Sequence, residues 1–299
     1  MDISKNLKYF FILPAVVTVL SLAALLMWGL KPGIDLAGGS LLQINYPAGR
    51  PAVELVRTTV SSLGLGEVRV QPTGETGYIL RQRDLSTDEK VKLEQPLRAM
   101  GTMEEVQYTS IGPSLGSELM RKAWIAIVLV LLCIIAFIAF AFRGVSRPVQ
   151  SWKYGVVAII TLFHDIIVPV GLFALLGYTH GAEVDALFIV ALLTILGISI
   201  NDTIVVFDRI RENLRLNDER GWREEFDSVV GRSIMQTLAR SINTSLTVVI
   251  VLAALYFVGP ATTQNFALTL IVGMIAGTYS SIFLAAPLLV AWQKWSGKK

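Results

Sequence analysis

Apolar residues in this chain gather into long unbroken runs instead of alternating with polar ones. Residues 9–30, 123–142, 156–176, 187–207, 241–258 and 264–291 together hold 130 of the 299 positions and carry two formal charges, Asp165 and Asp202. Each run is close to the roughly 20 residues that carry a helix across a hydrocarbon core of about 30 Å. The pattern predicts six transmembrane helices. The first run follows Lys5 and Lys8 and contains a small-x-small stretch, Ser21-Leu22-Ala23. It is longer than the apolar core of a cleaved signal, so a retained span is expected.

Residues 31–122 follow a different period. Residues 40–46 read as a strand, and Val53, Val56 and Val60 recur at helical spacing over 51–63, with Pro51 in the first turn. Residues 67–71 and 77–82 alternate as strands. Ser86-Thr87-Asp88-Glu89 is a capping box that opens a helix to about Met100, and 103–110 alternates again. The order β-α-β-β-α-β is that of a ferredoxin-like α+β domain. It holds no Cys or His, and Gly38-Gly39 reads as a tight turn more readily than as a phosphate loop. A structural or protein-contacting role is favoured over a catalytic one. The division expected is a first segment and helix over 1–30, an external domain over 31–122, and five further helices over 123–299.

Composition agrees with this division. Charged residues are 16% of the chain, against about 25% in soluble proteins, and the single Cys133 lies inside an apolar run with no partner in the chain. Lys and Arg number two in 1–8, three in 143–155 (Arg143, Arg147, Lys153), seven in 208–240 and three in 292–299, and none in 177–186 or 259–263. That alternation predicts both termini in the cytoplasm. The net charge of +3 then follows from topology, and no nucleic-acid partner is expected. Within 208–240, Trp222, Phe226, Val229, Val230, Ile234 and Leu238 form an apolar stripe with Arg223 and Arg232 on the polar side. This predicts an amphipathic helix on the lipid bilayer's cytoplasmic face.

Candidate chemistry lies in the ionisable groups at bilayer depth, which are costly to place there. Asp202 is five residues from the end of its run, roughly 8 Å along a helix. Ser199, Asp202 and Thr203 share one face, with Asn201 beside them, and Arg240 opens the next run ahead of Asn243 and Thr244. Arginine keeps its proton in proteins, whereas a desolvated aspartate can take one up near neutral pH. An Asp202–Arg240 pair therefore has a joined state and a separated state, and could serve as a proton relay. The less favoured alternative is a pair that only fixes helix packing. His164-Asp165 lies about 14 Å from the nearer end of its run and reads as an auxiliary polar path or as a packing element. Gly273-x-x-x-Gly277 allows close helix approach. Nucleotide, nucleophile and metal motifs are absent from the sequence, so an enzyme is not expected.

With these residues in view, the chain resembles the SecF family of the bacterial Sec secretion machinery, related to SecD and to RND-type transporters. The resemblance is carried by Ser199 through Asn213 (S-I-N-D-T-I-V-V-F-D-R-I-R-E-N), by Arg240 through Thr247 (R-S-I-N-T-S-L-T), by Gly273 through Ser281, and by Ser110-Ile111-Gly112-Pro113. The 92-residue external region and the Asn201-Asp202-Thr203-Ile204 sequence favour SecF over SecD. Gly33-Ile34-Asp35-Leu36-Ala37-Gly38-Gly39 has Leu36 where the family usually has an aromatic residue. The resemblance implies a subunit of the inner membrane that works with SecD, the SecYEG channel and a translocating preprotein. In that role it would use the proton-motive force in late export, with protons as the coupling ion and no cofactor. By position, Asp202 and Arg240 match the family's proposed relay. The alternatives are a scaffold subunit and half of an RND-type exporter of small molecules or lipids.

Overall fold

In a computed structural model the chain is described over residues 3–141, 149–222 and 224–296. Arg143, Arg147, Arg223, Lys298 and Lys299, and the side chains of Lys5 and Lys8, on which part of the charge pattern rests, lie outside the described residues. Among the described residues, six helical stretches are long and apolar enough to cross a membrane. They are α1 (Ile3–Trp28), α5 (Pro113–Ala141), α6 (Ser151–Thr179), α7 (Ala186–Glu219), α8 (Phe226–Val258), and α9 (Ala261–Ser280) continued by α10 (Ala286–Ser296). Helices suit such runs because each backbone N–H and C=O is satisfied within the segment.

The helices outrun their apolar cores, and this corrects one expectation. The stretch 208–240 forms no separate interfacial helix: residues 208–219 complete α7 and residues 226–240 open α8. Protein covers the apolar stripe from Phe226 onward, while Trp222 stays exposed. Val230 and Ile234 are buried with Phe207 and Ile210 of α7, and Phe226 and Leu238 pack against them. Asn213 of α7 donates to Ser233 and Gln236 of α8, both at 2.8 Å, tying the two helices beyond their apolar runs. A second departure is a π-helical turn, Ser281–Ala285, between α9 and α10.

Contacts divide the chain into two units, one of residues 1–31, 126–182 and 187–299, the other of residues 32–125 and 183–186. The first is the helical unit. Its core joins α6, α7, α8, the π turn and α10, with Tyr154 and Phe207 in an edge-to-face contact at 5.2 Å. Gly171 of α6 lies directly against the Ser21 backbone of α1, so a side chain there has no room.

The second unit runs α2 (Ile34–Ala37), β1 (Gly39–Asn45), α3 (Val53–Ser61), β2 (Arg69–Thr73), β3 (Gly77–Gln82), α4 (Thr87–Ala99) and β4 (Glu104–Ile111) before α5. After the short α2 the order is the expected β-α-β-β-α-β. The strands form one antiparallel sheet in the order β2-β3-β1-β4. Alternation puts Leu42, Ile44, Tyr78 and Leu80 on one face, where Val56 and Val60 of α3 and Leu93 and Leu97 of α4 cover them. Pro51 stands ahead of α3 rather than in its first turn. The capping box forms, Ser86 Oγ accepting from Glu89 N and Glu89 Oε2 from Ser86 N. The tight turn at Gly38-Gly39 uses φ of 81° and 140°, and a Cβ on Gly39 would meet the Gln82 carbonyl. Only glycine fits there.

Candidate functional site

Two neighbouring helices of the helical unit supply the intramembrane acids. On α7, Ser199, Asp202 and Thr203 are buried, as the shared face predicts; on α6, His164 and Asp165 are buried at 2% and 0% exposure. Helix α9 adds Tyr279. These groups form one chain of hydrogen bonds. Tyr279 Oη lies 2.8 Å from His164 Nε2, and His164 Nδ1 lies 2.8 Å from Asp165 Oδ1. Ser199 donates to the other carboxylate oxygen, Oδ2.

Hydrogen-bond logic allows this chain two opposite polarities. An ionised Asp165 accepts only, so His164 carries its proton on Nδ1, and its bare Nε2 accepts from the tyrosine hydroxyl. If Asp165 is protonated, the polarity of the chain reverses: the acid donates to Nδ1, and Nε2–H donates to Tyr279. The same three groups thus support two proton arrangements without moving.

Asp202 lies three residues, nearly one turn, beyond Ser199 on α7. Arg240 itself is exposed on α8, and among the described residues no ion pair within 4.0 Å joins it to Asp202. The expected pair is therefore not closed in this arrangement. Asn201, Asn243 and Thr244 are likewise exposed and stand outside the buried chain. Among the described residues, Thr203 Oγ1 is buried without a partner, and so is Ser241 Oγ one residue after Arg240.

Close helix packing brings α9 to this site. Gly273 faces Ile195, and a Cβ on Gly277 would come 3.1 Å from Cβ of Ser199. The glycine pair expected to permit close approach therefore sets α9 on α7, and a narrow crevice there is lined by Ser199, Asp202 and Thr278. Thr278 donates to Ser245 of α8 at 2.6 Å. Tyr279 was missed as a functional candidate because only the fold places it 115 positions along the chain from His164 yet in contact with it. Its polar hydroxyl inside an apolar run was the available signal. The π turn starts two residues after it, and such turns recur at functional sites.

Residues 92–295 match the family described as protein export membrane protein SecD/SecF, C-terminal. The chain is 43% identical to the protein translocase subunit SecF of Thermobaculum terrenum, over 98% of this chain and 94% of that one. It is 38% identical to the SecF of Anaerolinea thermophila, over 95% and 91%. Among solved structures it resembles SecDF, a translocon-associated membrane protein from Thermus thermophilus, with a TM-score of 0.85 and 31% identity over 98% of this chain. It spans 39% of that SecDF chain, and the same share of the SecDF of Bacillus subtilis, to which it is 34% identical. These descriptions name a translocase subunit and no enzymatic activity. A family match across both the fourth strand and the helical unit, joined to near full-length SecF relatives, makes this chain a multi-pass membrane protein of the SecD/SecF protein-export family.

Proposed function

We propose that the chain is a SecF subunit that couples inward proton movement to late steps of polypeptide export, acting with a SecD partner and the SecYEG channel. The observation that carries this is the buried Tyr279–His164–Asp165–Ser199 chain ending beside Asp202, since ionisable groups at membrane depth mark proton paths. Both termini lie in the cytoplasm in this reading, and residues 31–122 form an external domain. The sheet order β2-β3-β1-β4 with two helices on one face supports a ferredoxin-like fold for it.

A proton from outside reaches the Asp202 carboxyl and neutralises it, which removes its attraction for Arg240. The apart arrangement of these two residues corresponds to that state, and pairing follows when the proton leaves inward. The auxiliary chain through His164 and Asp165 can pass or hold a proton by reversing its polarity, and no cofactor is needed. A charge crossing 100 mV carries about 2.3 kcal/mol, so one proton at roughly 150–200 mV supplies about 4 kcal/mol. Inverting a two-state population from about 5% to 95% takes about 3.5 kcal/mol. One proton per stroke is sufficient.

The test is Asp202→Asn in vesicles carrying the complete translocase. Gradient-dependent stimulation of export should fall to the level seen without a gradient, while recovery of the complex stays at the wild-type value. Wild-type stimulation would refute the relay. Loss of complex recovery instead would assign Asp202 to a scaffold role.

A further inference from the structure

The connection between α6 and α7 does more than join two helices. Its residues 183–186 belong by contact to the α+β unit. Pro32 and Val184 form a parallel bridge, and Gly33 N donates to the Val184 carbonyl at 2.8 Å. Glu183, its side chain only 10% exposed, is gripped by two guanidinium groups of the sheet, Arg81 Nε at 3.2 Å and Arg69 Nη1 at 3.3 Å. Asp35 Oδ2 accepts from Ala186 N at 3.2 Å, so a carboxylate of the α+β unit caps the N-terminus of α7, where negative charge is favoured.

Helix α7 then runs without interruption for 34 residues. Ser199 and Asp202 follow Ala186 on it by 13 and 16 residues, roughly 20 and 24 Å of helical rise. One continuous helix thus carries the clamped residue at its start and the titrating acid further along. We infer that the Glu183–Arg69–Arg81 clamp, with the Asp35 cap, is the coupling element that passes the state of the Asp202 site to the α+β unit. This rests on Asp202 being the site that changes charge. It makes Glu183, Arg81 and Asp35 positioning residues that act through α7 and touch no proton themselves.

Coupling between two sites is reciprocal, which allows a test that needs no export. Hydrogen exchange is measured on the full chain with its SecD partner, in peptides covering residues 31–36 and 183–190. Asp202→Asn, which fixes the neutral form, should change exchange at the clamp by about threefold or more in the wild-type background. In a Glu183→Gln background that change should vanish, and the charge swap Glu183→Arg with both Arg69→Glu and Arg81→Glu should restore it. The same change with and without Glu183, or no change in the wild type, overturns the inference. The swap covers the case in which Glu183→Gln merely loosens the loop, since a structural loss would not be rescued by reversed charges. In vesicles, Glu183→Gln should lower gradient-dependent stimulation and leave the gradient-independent rate alone. If Asp202→Asn exports normally but the exchange coupling is present, the export reading fails and the clamp stands.

Discussion

At the scale of single residues, cost in the bilayer singled out Asp165, Asp202 and His164 from one sequence, because a charge placed there demands a reason. It did not say which residues touch. Asp202 and Arg240 stand apart, whereas Asp165 is satisfied by His164 and Ser199. The link from His164 to Tyr279 makes the sharpest prediction. Tyr279→Phe removes one hydrogen bond in the membrane, worth about 0.6 kcal/mol on average, near threefold in an equilibrium. Thermal unfolding in detergent should therefore change little. Gradient-dependent export should drop by more than that factor if the tyrosine belongs to the proton path, and by no more if it only packs. Gly171 gives a purely steric case. Gly171→Leu must push α6 off the Ser21 backbone, and overpacking of this kind costs about 1–3 kcal/mol, visible as a lowered unfolding midpoint.

At the scale of elements, the strands and helices between residues 39 and 111 followed their sequence periods to within about two residues, because alternation and capping are local, whereas α2 and the start of α5 at Pro113 did not follow from them. The Ser86–Glu89 box shows how local chemistry can be tested. The Arg83 hydrogen bonds to Glu89, then the Ser86 backbone N–H, pull the pKa of this partly exposed carboxyl down to about 2. Its unfolded value is about 4.3. The folded pKa is depressed, so its contribution is complete above about pH 4.3 and is lost as pH falls through about 2. Protection of the first turn of α4 against hydrogen exchange should weaken over that window, and Glu89→Gln should remove the pH dependence there. Helix ends and the π turn at Ser281–Ala285 were not legible. They depend on which neighbour satisfies or displaces the backbone, and hydropathy runs carry no mark of that.

At the scale of the whole molecule, the surface of the helical unit is incomplete by itself. Asn201, Arg240, Asn243 and Thr244 are exposed on spanning helices, where lipid would be a poor solvent for them. A SecD partner supplies the missing cover in the proposed complex. In a Cys133→Ala background, a cysteine at Asn243 should react with maleimide about tenfold more slowly once SecD is bound. An unchanged rate would place the partner elsewhere.

The sequence alone determined the number of spans, the α+β element order and the identity of the costly buried acids. All three follow from one-dimensional quantities: run length, period, and the price of charge in hydrocarbon. Only the tertiary structure decided that Tyr279 closes on His164, that Arg240 is not paired with Asp202, that the stripe at 226–238 packs on α7, and that Glu183 is held by two arginines of the sheet. Those contacts join positions tens to more than a hundred residues apart. What fixes them is how close two backbones can come, as at Gly171, Gly273 and Gly277, and no periodicity along the chain encodes that.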